Sequence, residues 1–171
     1  MKPTVQDQQI FADMKAIFGK FVAKIGLQIT DEGRADGYLF FTSRLFHPTE
    51  NDLSIGYQTK AKMVRIVARI LLPVPTVKRG DLLELFNHHN ARLQDVRVNI
   101  DPATQFIHLR GEMFLFEGSL DQKNFEDVLN LFFAALTMLF PMIGDFLDGK
   151  TKREDIQETI DAKIKGHQKA T

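Results

Sequence analysis

The sharpest chemical pattern in the 171-residue chain is Gly144-Asp145-Phe146-Leu147-Asp148-Gly149-Lys150-Thr151. It satisfies G-x-x-x-x-G-K-[ST], the loop whose backbone N–H groups cradle phosphates. Its neighbours argue against that chemistry. The preceding Asn130 to Phe140 reads as helix where a buried strand belongs. Asp145 and Asp148 place negative charge where phosphates would sit, and Phe146 and Leu147 crowd backbone that must approach a ligand closely. The expected structure is a helix end, a loop at Gly149 and a newly capped helix. Five histidines are the next candidates: His47, His88, His89, His108 and His167. His88 and His89 lie near a helix end and point about 100° apart, so they cannot both face one metal. With no H-x-x-x-H or H-E-x-x-H present, they are expected at the surface or at the helix C-terminus, where the helix dipole favours them.

Carboxylates are numerous but scattered. None lies in an apolar run that would raise its pKa for acid catalysis, Glu112 and Glu117 coming nearest. No G-x-S-x-G elbow, dinucleotide glycine fingerprint or zinc-deaminase signature occurs. The chain has no Cys, which excludes disulfides, zinc fingers, thiolate clusters and a Cys nucleophile. Lys plus Arg and Asp plus Glu both number 22, so the broad positive field of a dedicated nucleic-acid or anionic-membrane binder is missing. The expectation is a non-enzyme with no cofactor and no metal.

The elements that would position any site follow from periodicity. Ile10, Phe11, Met14, Ile17, Phe18, Phe21, Val22 and Ile25 recur with a 3.6-residue period, opened by a Thr4/Asp7 capping box and closed at Gly26. Leu27 to Thr30 is a short candidate strand, Asp31 to Gly37 a turn, and Tyr38 to Phe46 an aromatic-rich strand. His47 to Asp52 breaks the chain, Leu53 to Tyr57 forms another short strand, and Met63 to Leu72 alternates until Pro73. A helix over Thr76–Ala91 precedes a hairpin of Val96–Ile100 and Gln105–Phe116. The third helix starts near Ser119 or Asp121 and runs to about Phe140, before Pro141. A Thr151/Glu154 capping box opens a charged final helix with a narrow stripe of Ile156, Ile160 and Ile164. This order predicts an α+β fold: an antiparallel sheet of about five strands with helices packed on it, in the order α-β-β-β-α-β-β-α plus an extra C-terminal helix. Residues 1–143 would form one domain and 144–171 a helical extension.

Two surfaces carry the functional expectation. If Val64, Ile66, Ile70, Val98, Ile107, Leu109, Met113 and Leu115 face the helices, the other sheet face presents Arg65, Arg69, Arg97, Phe106, His108, Arg110, Glu112, Phe114 and Phe116. Arginine forks beside aromatic surface suit a polypeptide or an anion. The alternative is a solvated face of cross-strand Arg–Glu pairs. Arg110 to Phe116 has the outline of an RNA-recognition strand, but Glu112 replaces the first stacking aromatic, so no nucleic-acid partner is expected. The third helix is apolar almost all round. Beyond its stripe of Phe125, Val128, Leu129, Phe132, Leu136, Leu139 and Ile143 it carries Leu131, Phe133, Met138, Phe140 and Met142. Either the final helix covers that surplus, or a second subunit or a client does. Leu131 to Ile143 is shorter than the roughly 20 apolar residues of a spanning helix, and no membrane role is expected.

The succession Val64 to Pro75, Leu82-Leu83-Glu84-Leu85-Phe86-Asn87-His88-His89-Asn90, Val96 to Leu115 and Leu120-Asp121 resembles the YbjN-like family of bacterial proteins, over roughly residues 60–143. The resemblance implies a fold like that of type III secretion chaperones: non-enzymatic, often dimeric, polypeptide-binding. The YbjN-like branch is described as sensory transduction regulators. A Trp common in relatives is absent, and residues 144–171 extend past the shared core. Taken together, the expectation is a chaperone-like or signalling-regulator domain that binds another protein or peptide as a homodimer. With no signal peptide in MKPTVQDQQI, its expected location is cytoplasmic. Its binding residues would be Arg65, Arg69, Arg97, His108, Arg110, Phe114, Phe133, Met138 and Met142. The competing expectation is a small-molecule-sensing module with a pocket between sheet and helices.

Overall fold

Thr4 opens the first helix, α1 (Val5–Ala23), with a complete capping box: its hydroxyl accepts from the Asp7 N–H, and the Asp7 carboxylate accepts from the Thr4 N–H. The computed structural model describes residues 3–24, 27–35, 37–46, 50–70, 74–92 and 96–168. The expected helix stop at Ile25-Gly26, the break at His47-Pro48-Thr49 and the strand end at Leu71–Pro73 lie outside the described residues.

After α1 come strands β1 (Ile29–Ala35), β2 (Tyr38–Phe46), β3 (Glu50–Gln58) and β4 (Met63–Ile70), then helix α2 (Arg79–Asn90). Strands β5 (Val96–Ile100) and β6 (Ile107–Phe114) follow, then helices α3 (Gln122–Leu147) and α4 (Arg153–Gln168). The strands form one antiparallel sheet in the order β1-β2-β3-β4-β6-β5. The α+β class and the element order are as expected, with six strands in place of five. The sixth is β1, which begins in the short candidate at Leu27–Thr30 and runs on through Asp31–Ala35, residues that the polar sequence marks as a turn. These residues instead pair with Thr42 back to Tyr38, and the turn falls at Gly37, whose φ is +81°. An edge strand exposes one side and tolerates such polarity. The Phe40 ring covers the backbone of Gly33, where a Cβ would lie 2.7 Å from it and push the ring aside.

Alternation along the strands buries Leu39, Phe41, Leu53, Ile55, Tyr57, Val64, Ile66, Ala68, Ile70, Val96, Val98, Leu109 and Met113 on one face. The helices cover that face, with α1 on β2, α3 on β5 and β6, and α2 along β5. From α3, Phe125, Leu129, Phe132, Leu136, Leu139, Ile143 and Phe146 enter the same core. By length and composition α3 would suffice to cross a membrane, yet this stripe is buried in the protein's own core. Asp121 caps α3 through the Asn124 N–H. The helix does not stop before Pro141. Pro141 sits on the exposed side, where the Thr137 carbonyl deprived of its partner is open to water, and Ile143 and Phe146 continue the buried stripe. At its end, Lys78 Nζ donates to the carbonyls of Phe146 and Leu147 at 2.6 and 2.8 Å, satisfying two terminal acceptors.

Helix α4 packs on α2, not over α3. Ile156 and Ile160 are buried, and Asp161 bonds His88 Nε2 at 2.9 Å and Arg92 Nε at 2.6 Å. The start of α4 also differs from expectation. The Lys152 N–H donates to Asp155, one residue on from the Thr151/Glu154 box.

Two polar arrangements lock the elements together. Asp7, 3% exposed, accepts from the Tyr57 hydroxyl at 3.0 Å and from Lys62 Nζ at 2.7 Å, tying α1 to β3 and to the β3–β4 turn. Burial alone would push its carboxyl up, but the Lys62 ammonium, the Thr4 N–H and hydroxyl, and the Tyr57 hydroxyl together hold it well below the usual carboxylate range. Tyr57 is raised, first by burial and then by Asp7. At the other end of the sheet, Asn90 Nδ2 donates to the Val98 carbonyl and Asn90 Oδ1 accepts from the Val98 N–H, both at 2.8 Å. A side-chain amide thus stands where another strand would pair with the β5 edge.

Candidate functional site

The face of the sheet away from the helices is built in rows, because residues paired across antiparallel strands point the same way. One row runs Asp52, Arg69, His108 and Asn99 across β3, β4, β6 and β5. The next runs Asp31, Thr42, Ser54, Val67, Arg110 and Arg97 across all six strands. A third holds Gly33, Phe40, Gly56, Arg65 and Glu112, and a fourth Ala35, Tyr38, Gln58, Met63 and Phe114. Six residues of the expected binding set therefore share one surface: Arg65, Arg69, Arg97, His108, Arg110 and Phe114.

Their environments differ. Arg65 Nε bonds Glu112 at 2.8 Å and its guanidinium lies 6.0 Å from the Tyr38 ring centre, so this arginine is satisfied inside the face. Arg69 and Arg97 are exposed, and Arg110 is half-buried. Among the described residues, no carboxylate lies within ion-pair distance of these three. His108 is not a surface group: its side chain is 8% exposed, with Nδ1 3.7 Å from Asp101. Asp101 itself is engaged by the N–H groups of Ala103 and Thr104. Burial pushes the His108 imidazole down, against Asp101 and with help from Arg69 and Arg110. His108 Nε2 and Arg110 Nε are buried without a hydrogen-bond partner. Phe114 is 60% exposed and Phe116, in the turn that follows, 82%. An open depression of about 980 Å³ lies across the same face, lined in part by Thr42, Asp52, Ser54, Val67 and Arg69.

The remaining expected residues lie elsewhere. Phe133, Met138 and Met142 on α3 are half-buried and pack against the core of the same chain, Phe133 with its ring 5.1 Å from Phe21 of α1. Polar or small residues at Asn130, Ala134, Thr137 and Pro141 form the exposed side of α3. The surplus apolar side chains read from the sequence are thus half-buried against the chain's own core, Phe133 meeting α1. His89 is likewise a correction. It lies in the last turn of α2, as expected, but is fully buried rather than superficial, and burial holds its imidazole below the ordinary range. The Gly144–Thr151 pattern does not present the free amides of a phosphate loop: Gly144 to Leu147 belong to α3, and the N–H groups of Asp148, Gly149 and Lys150 bond the Gly144, Phe146 and Asp145 carbonyls. Lys150 pairs with Asp148 at 2.7 Å. Among the described residues, no three His, Asp or Glu side chains are grouped so as to hold a metal ion.

Sequence reasoning missed the Asp7–Tyr57–Lys62 cluster, since partners 50 and 55 residues away leave no local signal. It also missed the Asn90–Val98 clamp, which joins a helix end to a strand edge.

No family model matches the chain, and no curated protein does. Among solved structures, it is similar to a chain in the crystal structure of the ExsC–ExsE complex, at 17% identity and a TM-score of 0.44, over 71% of this chain and 86% of that one.

Proposed function

We propose that this protein is a non-catalytic polypeptide-binding module whose docking surface is the helix-free sheet face. The observation behind this reading is the composition of that face. A sheet face left to water is normally polar and internally paired. Here exposed Phe114 and Phe116 accompany Arg69, Arg97 and Arg110, none of them ion-paired among the described residues. Exposed Phe and unpaired Arg are among the side chains most often used as anchors in protein interfaces, and on β6 they stand two rows apart, at Phe114 and Arg110, with the Arg65–Glu112 pair between them. The depression of about 980 Å³ supports the same reading, being open along the sheet as a chain segment requires rather than closed around a small ligand.

The test is binding of an unbiased peptide array to the full chain, repeated with Phe114→Ala. Because Phe114 is exposed, the variant keeps its melting temperature while affinity drops about tenfold. If the array stays blank and a small metabolite raises the melting temperature, the face is a sensor site and the module reading is wrong. Light scattering decides whether a second copy occupies the face.

A further inference from the structure

Arg97 on β5 and Arg110 on β6 are directly opposed in the sheet register, so their side chains rise from one face about 5 Å apart at the stem. Like charges placed directly opposite destabilise a strand pair. The adjoining row opposes Arg69 to His108. Three guanidiniums and an imidazole thus fill neighbouring positions on β4, β6 and β5. The contrast with the next row is informative, because Arg65 there is matched to Glu112 at 2.8 Å. Around the other three arginines, Asp52 stands opposite Arg69 in the register without reaching ion-pair distance. Inside the block, His108 Nε2 and Arg110 Nε are buried and unpartnered. A buried polar atom without a partner is costly, and the half-buried Arg110 side chain would gain an acceptor by turning its guanidinium toward a bound carboxylate.

We propose that this block binds the carboxylates of an acidic polypeptide segment, with Arg97 and Arg110 taking one acidic side chain between them and Arg69 the next. The assignment rests on the polypeptide-binding reading and narrows it to one class of partner. The charge layout of the whole face selects that class. Asp31 lies on β1 and Asp52 on β3, the latter between Arg44 of β2 and Arg69 in the register; Asp101 stands 3.7 Å from His108, and Glu112 is already neutralised by Arg65. A polymer that is negative along its whole length, such as a nucleic acid, would be attracted at β5 and β6 but repelled toward β1. A segment with acidic residues at one end and neutral or apolar residues beyond matches both halves, its apolar part reaching Val67 and the depression beside it.

The experiment uses the full chain and short labelled peptides: one Glu-rich with a single Phe, its Gln-for-Glu counterpart, and a Lys-for-Glu counterpart. Inorganic phosphate and a single-stranded oligonucleotide serve as competitors. Anisotropy is expected to show the Glu peptide binding at least about tenfold tighter than the Gln peptide, with affinity falling as salt rises. Arg97→Ala and Arg110→Ala should each weaken it about fivefold or more. Arg97 is exposed, so its substitution leaves the fold intact, and Arg110→Lys provides a milder second variant. The His108 ring and Arg110 Nε resonances should shift only with the Glu peptide. Equal affinity for Glu and Gln peptides overturns the acidic assignment while leaving the polypeptide reading in place. No peptide binding at all overturns both. An oligonucleotide that binds more tightly than the Glu peptide makes the block a nucleic-acid contact. Phosphate that moves the same resonances with no preference among peptides makes it a small-anion site.

Discussion

The Tyr57 hydroxyl donates to Asp7 Oδ1 at 3.0 Å, with both side chains almost wholly withdrawn from water. Lys62 bonds the same oxygen from the β3–β4 turn. One carboxylate therefore fastens a helix N-terminus to a strand and to a hairpin tip. Breaking a buried, charge-assisted cluster of this kind by removing one member leaves the others unsatisfied. Asp7→Ala should cost about 2–4 kcal/mol in urea unfolding, more than loss of the helix cap alone.

The pH dependence of that cluster has a definite sign. The folded-state pKa of Asp7 is depressed below the 3.8 of a free carboxyl, so the unfolded chain binds more protons at low pH. The stabilisation is complete above pH 4 and is lost as pH falls below 3.8 toward the folded value. Asp7→Asn should flatten stability across that interval relative to the parent. Parallel acid-unfolding curves for the two proteins would exclude Asp7 as the titrating group.

His89 acts in the same direction at higher pH. Burial lowers its pKa below 6.5, and His88 adds to the effect while Asn90 opposes it. The folded state favours neutral imidazole, so stability falls as pH drops below 6.5. His108, lowered chiefly by burial, contributes likewise. A single-histidine replacement, His89→Gln, should remove part of this slope between neutral pH and pH 5, with the remainder assigned to His108 by His108→Gln. Unfolding midpoints measured every half unit of pH check it.

Asn90 and Val98 make a kinetic prediction. Because the Asn90 amide meets both backbone groups of Val98 at 2.8 Å, Asn90→Ala leaves the middle of the β5 edge unpaired. The expected loss is about 1–3 kcal/mol, together with faster hydrogen exchange at the Val98 amide and a greater tendency to aggregate through β5. An unchanged exchange rate at Val98 would mean that the clamp is dispensable.

The Arg97–Arg110 pair separates stability from binding. Replacing one arginine by an acid creates a cross-strand ion pair where the register now opposes two cations. Arg97→Glu should raise stability by about 0.2–1 kcal/mol at low salt, while abolishing affinity for acidic peptides. Opposed cations of this kind are what a site kept for an anionic ligand would show. If Arg97→Glu destabilises the fold, the opposed arginines are structural and the binding argument loses its main support.

Much of this could be read from local pattern. Thr4 and Asp7 sit three residues apart, the spacing of a capping box, and the box is there. Strict alternation in Met63 to Ile70 and Val96 to Ile100 told which arginines share a face. Asp31–Ala35 misled because an exposed edge strand is stabilised by its partner, here Leu39 to Thr42, and not by its own composition. Pro141 misled because helix continuation depended on the core awaiting Ile143 and Phe146. For the candidate site, the membership of Arg65, Arg69, Arg97, Arg110 and Phe114 was legible. Their differing states were not, since pairing depends on what stands on the next strand.

What the sequence determined by itself was the class of fold, where the helices begin and the parity of β4, β5 and β6, because capping and hydrophobic period act over a few residues. Tertiary structure alone decided that Asp7 would be a buried anchor and His89 a neutral core histidine. It also placed α4 on α2, half-buried the remaining apolar side chains of α3 against the core, and set Arg97 against Arg110 while Arg65 received Glu112. Each of these is a meeting of residues far apart in the chain, governed by register and by the desolvation of charges, and neither is encoded in any local window.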